Sequence, residues 1–100
     1  MALDLDQLPH KKIADLCRRH RVRRLAIFGS ALRDDFARGS DVDVLIEFEP
    51  DMRVGLTFFA IQDELSSLLG RKVDLNTKGS LSKYFRDEVL TEAKNIYVAA

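Results

Sequence analysis

Residues 28–48 read FGSALRDDFARGSDVDVLIEF, and this stretch decides the fold. Its leading edge closes a short apolar run, Arg24-Leu25-Ala26-Ile27-Phe28, at a glycine, the pattern of a buried strand. Its trailing half sets Val42, Val44 and Ile46 in alternation with Asp41, Asp43, Leu45 and Glu47. That near period-two pattern predicts a strand over Asp41 to Phe48, which Pro50 and Asp51 end. Between the strands, Ser30 to Phe36 is read as one or two helical turns, and Arg38-Gly39-Ser40 as a turn.

Working outward, Pro9 after Asp6 and Gln7 reads as a helix start, because proline is tolerated in the first turn. Leu8, Ile13, Leu16 and Cys17 then give an apolar stripe to about His20. Downstream, Val54, Phe58, Ile61, Leu65 and Leu68 recur at helical spacing and predict a helix closing at Gly70. Arg71 to Asn76 reads as a second short strand. Ser80 or Ser82 then caps a last helix to about Ala93, with Tyr84, Phe85, Val89 and Leu90 inward. Ile96-Tyr97-Val98 is too short to assign. The order α-β-α-β-α-β-α predicts an α/β (α+β) fold, a small mixed sheet flanked by helices, in one domain over residues 1–100. The helix between Asp43 and Arg71 allows a parallel crossover, which would bring Asp74 near the Asp41/Asp43 pair.

The 100 residues suit one small core. Sixteen basic and sixteen acidic side chains cancel, so no net field draws the chain to nucleic acid or membrane. Charge is uneven locally: Arg18, Arg19, Arg21, Arg23 and Arg24 cluster, and acidic residues follow from Asp34 to Asp51. The arginines lack interleaved aromatics, so nucleic acid is not the expected partner. Cys17 is a lone cysteine outside any metal-ligand pattern and is expected to be buried. No apolar run approaches the ~20 residues of a membrane span. The first residues carry Asp4 and Asp6 rather than a basic then apolar leader, so cytoplasm is the expected location.

Three features carry chemistry. Gly29 lacks a Cβ, so the turn can come close to a ligand, and Ser30 with the following amides can meet phosphate oxygens; an ordinary strand-to-helix turn looks the same. Asp41 and Asp43 lie two residues apart, on one face of a strand about 7 Å apart. Two like charges there suit a magnesium ion, although an exposed edge strand would also tolerate them. Asp74, in Lys72-Val73-Asp74-Leu75, is a third carboxylate, either a surface residue or a further ligand able to take a proton.

Gly29-Ser30, ten residues, Asp41-Val42-Asp43, and later Asp74 within LLGRKVDL resemble a minimal nucleotidyltransferase of the DNA polymerase β-like superfamily, the MNT-domain proteins. The resemblance covers about residues 10 to 95. It implies that Gly29 and Ser30 hold nucleotide phosphates, and that Asp41, Asp43 and Asp74 are catalytic and bind two magnesium ions. It also implies ATP as substrate and in-line attack of a hydroxyl on its α-phosphate. Arg33 matches a basic position after the Gly-Ser and is either a phosphate contact or a solvated turn arginine. Asp34 and Asp35 follow it where many relatives carry glycine, and two extra negative charges there either weaken nucleotide binding or face water.

Two functions follow from the resemblance. One is transfer of AMP to a hydroxyl of a helical HEPN-family partner, as the antitoxin of a toxin–antitoxin pair, with a hetero-oligomer implied. The other is a non-catalytic module that neutralises its partner by contact. Adjacent Phe58 and Phe59 cannot both face the same core position, so either both pack at a broad helix face or one of them lines an interface.

Overall fold

The computed structural model describes residues 2–34, 36 and 39–100. Within them, strands β1 (Val22–Phe28), β2 (Val42–Phe48), β3 (Val73–Thr77) and β4 (Lys94–Val98) form a sheet in the order β3-β2-β1-β4. The helices are α1 (His10–Arg19), α2 (Thr57–Leu69) and α3 (Arg86–Glu92). The sheet is mixed: β1 runs antiparallel to β2 and β4, whereas β2 and β3 are parallel. Parallel neighbours need a long connection, and α2 provides it, ending at Gly70 with φ +65° in the left-handed region.

Helices cover both faces. On one, Ile13 and Leu16 of α1 and Ile61 and Leu65 of α2 pack on Leu25, Ile27, Val42, Val44, Ile46, Val73 and Leu75. On the other, Leu81 and Val89 pack over Ala26, Phe28 and Leu45. This second cluster is why Leu45, which alternation assigns to the polar face, is fully buried. Each buried Leu or Ile stabilises by about 1.5–3 kcal/mol, so together the clusters outweigh the carboxylate repulsion at one end of the sheet.

The structure departs from the sequence expectations in four places. The helical turn after Gly29 is of the 3₁₀ kind and spans Gly29–Leu32, shorter than the Ser30-to-Phe36 stretch expected. Asp35 and Arg38 lie outside the described residues. The last helix begins at Arg86, not at Ser80 or Ser82. Those serines are committed to local bonds: the Ser80 N–H donates to Thr77 Oγ1 at 3.2 Å, and the Tyr84 N–H donates to Ser82 Oγ at 3.3 Å. Such bonds hold the backbone in turns and delay the helix. Tyr84 and Phe85 therefore precede α3, and instead of facing inward they are 88% and 51% exposed. Finally, Lys94–Val98 is a strand that extends the sheet beside β1.

Cys17 is buried as expected, and burial pushes its thiol up to about 12, beyond reactive use at neutral pH. Phe58 packs against the core while Phe59 is exposed. Among the described residues, no helix is long and apolar enough to cross a membrane.

Candidate active site

Strand register assembles the site. Phe28, the last residue of β1, pairs with Asp43 of β2, and Asp43 pairs with Asp74 across the parallel β2–β3 ladder. In-register side chains on neighbouring strands share a face, so the two carboxylates meet there and act on each other electrostatically. The crossover through α2 has thus brought Asp74 beside Asp43, as the helix between them allowed.

Gly29 follows Phe28 with φ +74°. A Cβ built on it would lie 2.5 Å from Oδ2 of Asp43, so the carboxylate would have to shift to admit one. The dihedral angle favours glycine there, and the missing Cβ lets the turn and the carboxylate come together. Ser30 is half-buried on the same turn. Asp41 sits one residue before β2 and is exposed, with Oδ2 4.0 Å from Nζ of Lys72. It is still close enough to act electrostatically on Asp43.

Asp43 is held above the usual aspartate range. Burial is the largest cause, followed by the negative charges of Asp74 and Asp41 and the hydrogen bond to Asp74; Arg33 pulls weakly the other way. Arg33 closes the turn, donating its N–H to Ser30 O at 3.0 Å, and is exposed. Asp34 is exposed as well.

Sequence reasoning missed Glu92. Its Oε1 accepts the Gly29 N–H at 3.0 Å, and its Oε2 lies 4.0 Å from Nη2 of Arg33. Glu92 closes α3, and its meeting with residue 29 depends on how α3 docks, which no local pattern announces. Phe28, Gly29, Arg33, Leu81, Phe85, Glu88, Val89 and Glu92 line a cavity of about 300 Å³ beside the turn.

Among the described residues, no three carboxylate, histidine or cysteine groups close around one point. Asp43 and Asp74 do meet, and magnesium needs only one or two carboxylates when water and phosphate oxygens complete its shell. Repulsion between the two is relieved by a cation, so the donor set fits one, with Asp41 at its edge.

A glycine turn at the end of β1, facing paired aspartates on β2 and β3, suits phosphoryl chemistry on a nucleotide. The chain belongs to the nucleotidyltransferase-domain family, whose model matches residues 10–96. It is 39% identical over 89 residues to the protein adenylyltransferase MntA of Thermococcus cleftensis, covering 89% of this chain and 85% of that protein. It is 42% identical over 85 residues to "Putative protein adenylyltransferase MJ0128" of Methanocaldococcus jannaschii, covering 83% and 82%. A solved structure described as a "putative minimal nucleotidyltransferase" superposes with TM-score 0.74 at 33% identity, over 92% of this chain and 95% of that one. A toxin–antitoxin structure with AMP-PNP superposes with TM-score 0.71 at 26% identity, over 92% and 75%. An AMPylated HEPN toxin of Shewanella oneidensis in complex with its MNT antitoxin gives TM-score 0.63 at 24% identity over 90% and 70%, a likeness of fold. The mixed sheet flanked by helices is thus the polymerase β-like nucleotidyltransferase fold.

Proposed function

We propose that this chain, as one domain over residues 1–100, moves AMP from ATP to a hydroxyl of a HEPN-family partner protein. It would act in the cytoplasm as the antitoxin of a toxin–antitoxin pair. The observation that carries the reading is the Asp43–Asp74 pair, in register across parallel strands with the Gly29 turn against it. The similarity to a protein adenylyltransferase supports the nucleotide and the protein acceptor. The likeness to a toxin–antitoxin structure with AMP-PNP supports the partner.

In this reading the amides of the Gly29–Ser30 turn and the Ser30 hydroxyl bind the phosphate tail. Arg33 reaches the same tail from the end of the turn. Asp43 and Asp74, with Asp41 beside them, would hold magnesium, which when bound would supply charge neutralisation at the attacked phosphate and the leaving group. The acceptor oxygen bonds to the α-phosphorus, the bond to the α,β-bridging oxygen breaks, and pyrophosphate leaves. Asp74, the more exposed of the pair, takes the proton released by the hydroxyl.

Neutralisation by contact alone is the second reading, favoured by the exposed aromatics Phe59, Tyr84 and Phe85. The two readings separate when the protein is incubated with α-labelled ATP, magnesium and the partner. Label on the partner, lost in Asp41→Asn/Asp43→Asn, supports transfer. No label with any nucleoside triphosphate, while the partner is still neutralised, leaves only contact.

A further inference from the structure

The amide that the turn would offer to a phosphate is already taken by a carboxylate. Glu92 accepts the Gly29 N–H at 3.0 Å through Oε1 and faces the Arg33 guanidinium at 4.0 Å through Oε2. An anion held by one backbone donor of a positive-φ glycine turn and flanked by one arginine is the arrangement a phosphate oxygen would adopt there. We infer that Glu92 is a built-in competitor for the nucleotide phosphate, so that α3 sets the affinity of the site. This inference rests on the nucleotidyl-transfer reading of the turn.

Two features of α3 show that the helix itself does not favour this charge. Glu92 is the last residue of the helix, where the dipole is negative and disfavours a carboxylate, and no basic residue occupies that final turn. Glu88 lies one turn earlier on the same side, a like charge at i,i+4 that adds repulsion. What holds Glu92 inward is therefore the Gly29 N–H and Arg33. Its side chain is 31% exposed and borders an open cavity, so it has water to swing into when a phosphate takes its place. A phosphate that arrived without displacing it would face three carboxylates: Asp43, Glu88 and Glu92.

Glu92→Gln separates charge from shape, because the amide oxygen still accepts the Gly29 N–H while the repulsion disappears. Binding of ATP with magnesium, and of pyrophosphate with magnesium, is measured calorimetrically for wild type and for this variant, each first shown to be folded by thermal melting. The expected result is about fivefold tighter binding of both ligands by Glu92→Gln, the effect of one repulsive charge pair at contact distance in water. Tightening should be smaller in high salt. Wild type binding ATP while Glu92→Gln binds it equally or more weakly overturns the inference and leaves the transfer reading intact. Binding of ATP by the variant but not by wild type supports the inference in its strongest form. Binding by neither protein overturns both.

Discussion

Asp43 and Glu47 occupy the same strand, point to the same face and stand four residues apart, yet their surroundings are opposite. Glu47 receives Arg23 at 3.0 Å and Arg24 at 2.9 Å. Burial pushes its carboxyl up, but hydrogen bonds from Arg24 and Arg23 and the charges of Arg24 and Lys78 win, leaving it below the usual range. Asp43 receives no such partner in register; it faces Asp74 and is held above the usual range. Fully buried Leu45 separates the two. Among the described residues, the carboxylate at one end of β2 is matched by two arginines, while the one at the other end stands against like charge. The same contrast explains the arginine cluster. Arg18 pairs with Asp15, Arg19 with Glu64, Arg21 with Glu49, and Arg23 and Arg24 share Glu47, so the cluster forms an ion-pair lattice.

Exchanging the two carboxylates for amides breaks the comparison most severely in catalysis. Asp43→Asn should lower the rate of AMP transfer on the order of a hundred- to a thousandfold, since it removes charge at the reacting phosphate. Glu47→Gln should leave the rate within about twofold, in line with the small effects of changes away from reacting atoms. Single-turnover label transfer compares them.

Gly29→Ala comes next. The left-handed backbone alone costs roughly 1–2 kcal/mol with a Cβ, and the approach to Asp43 adds to it. Denaturant midpoints should fall accordingly, and transfer should be lost with them.

Stability should then move in opposite directions at the two ends. Glu47→Gln loses charge-assisted bonds worth about 1–3 kcal/mol, so its melting temperature falls at neutral pH. The folded pKa of Glu47 is depressed, so its contribution is present above the ordinary glutamate range and fades as pH drops through the folded value. The deficit of the variant should therefore shrink in acid. Asp43 has the opposite sign. Its folded pKa is raised, so stability is full below the ordinary aspartate value and is lost as pH climbs through the folded one. Asp43→Asn should thus melt higher than wild type at neutral pH without metal, with the gain gone near pH 3. Melting curves of both variants from neutral to acid pH check this crossing.

The smallest effect belongs to the exposed rim of the lattice. Arg21→Ala removes its 2.8 Å contact with Glu49, both side chains being more than 40% exposed, and should cost under about 1 kcal/mol and less in salt. A larger loss would show that the lattice acts as a unit.

Much of this contrast was legible in the sequence. β1, β2 and β3 announced themselves by apolar runs and alternation, and α2 by spacing that ends at Gly70. Once those elements are read, a parallel crossover is allowed, and the observed register is the one that brings Asp74 to Asp43. What stayed hidden depends on contacts distant in sequence. Leu45 looked outward because alternation cannot know that Leu81 and Val89 will cover the second face. Tyr84 and Phe85 looked inward because the serine turns that delay α3 outweigh an apolar pattern. Lys94–Val98 was unreadable because a short edge strand is defined by its neighbour β1. Glu92 carried no signal at all, since its partner is a backbone amide 63 positions away.

In the proposed function the Asp43 end is completed by a cation, whereas the Glu47 end is complete without one. Thermal melting of wild type, Asp43→Asn and Glu47→Gln, with and without magnesium plus ATP, tests it directly. The account predicts that magnesium and ATP raise the melting temperature of wild type and Glu47→Gln by the same increment and leave Asp43→Asn unmoved. An equal rise in all three, or a rise lost only in Glu47→Gln, would contradict it.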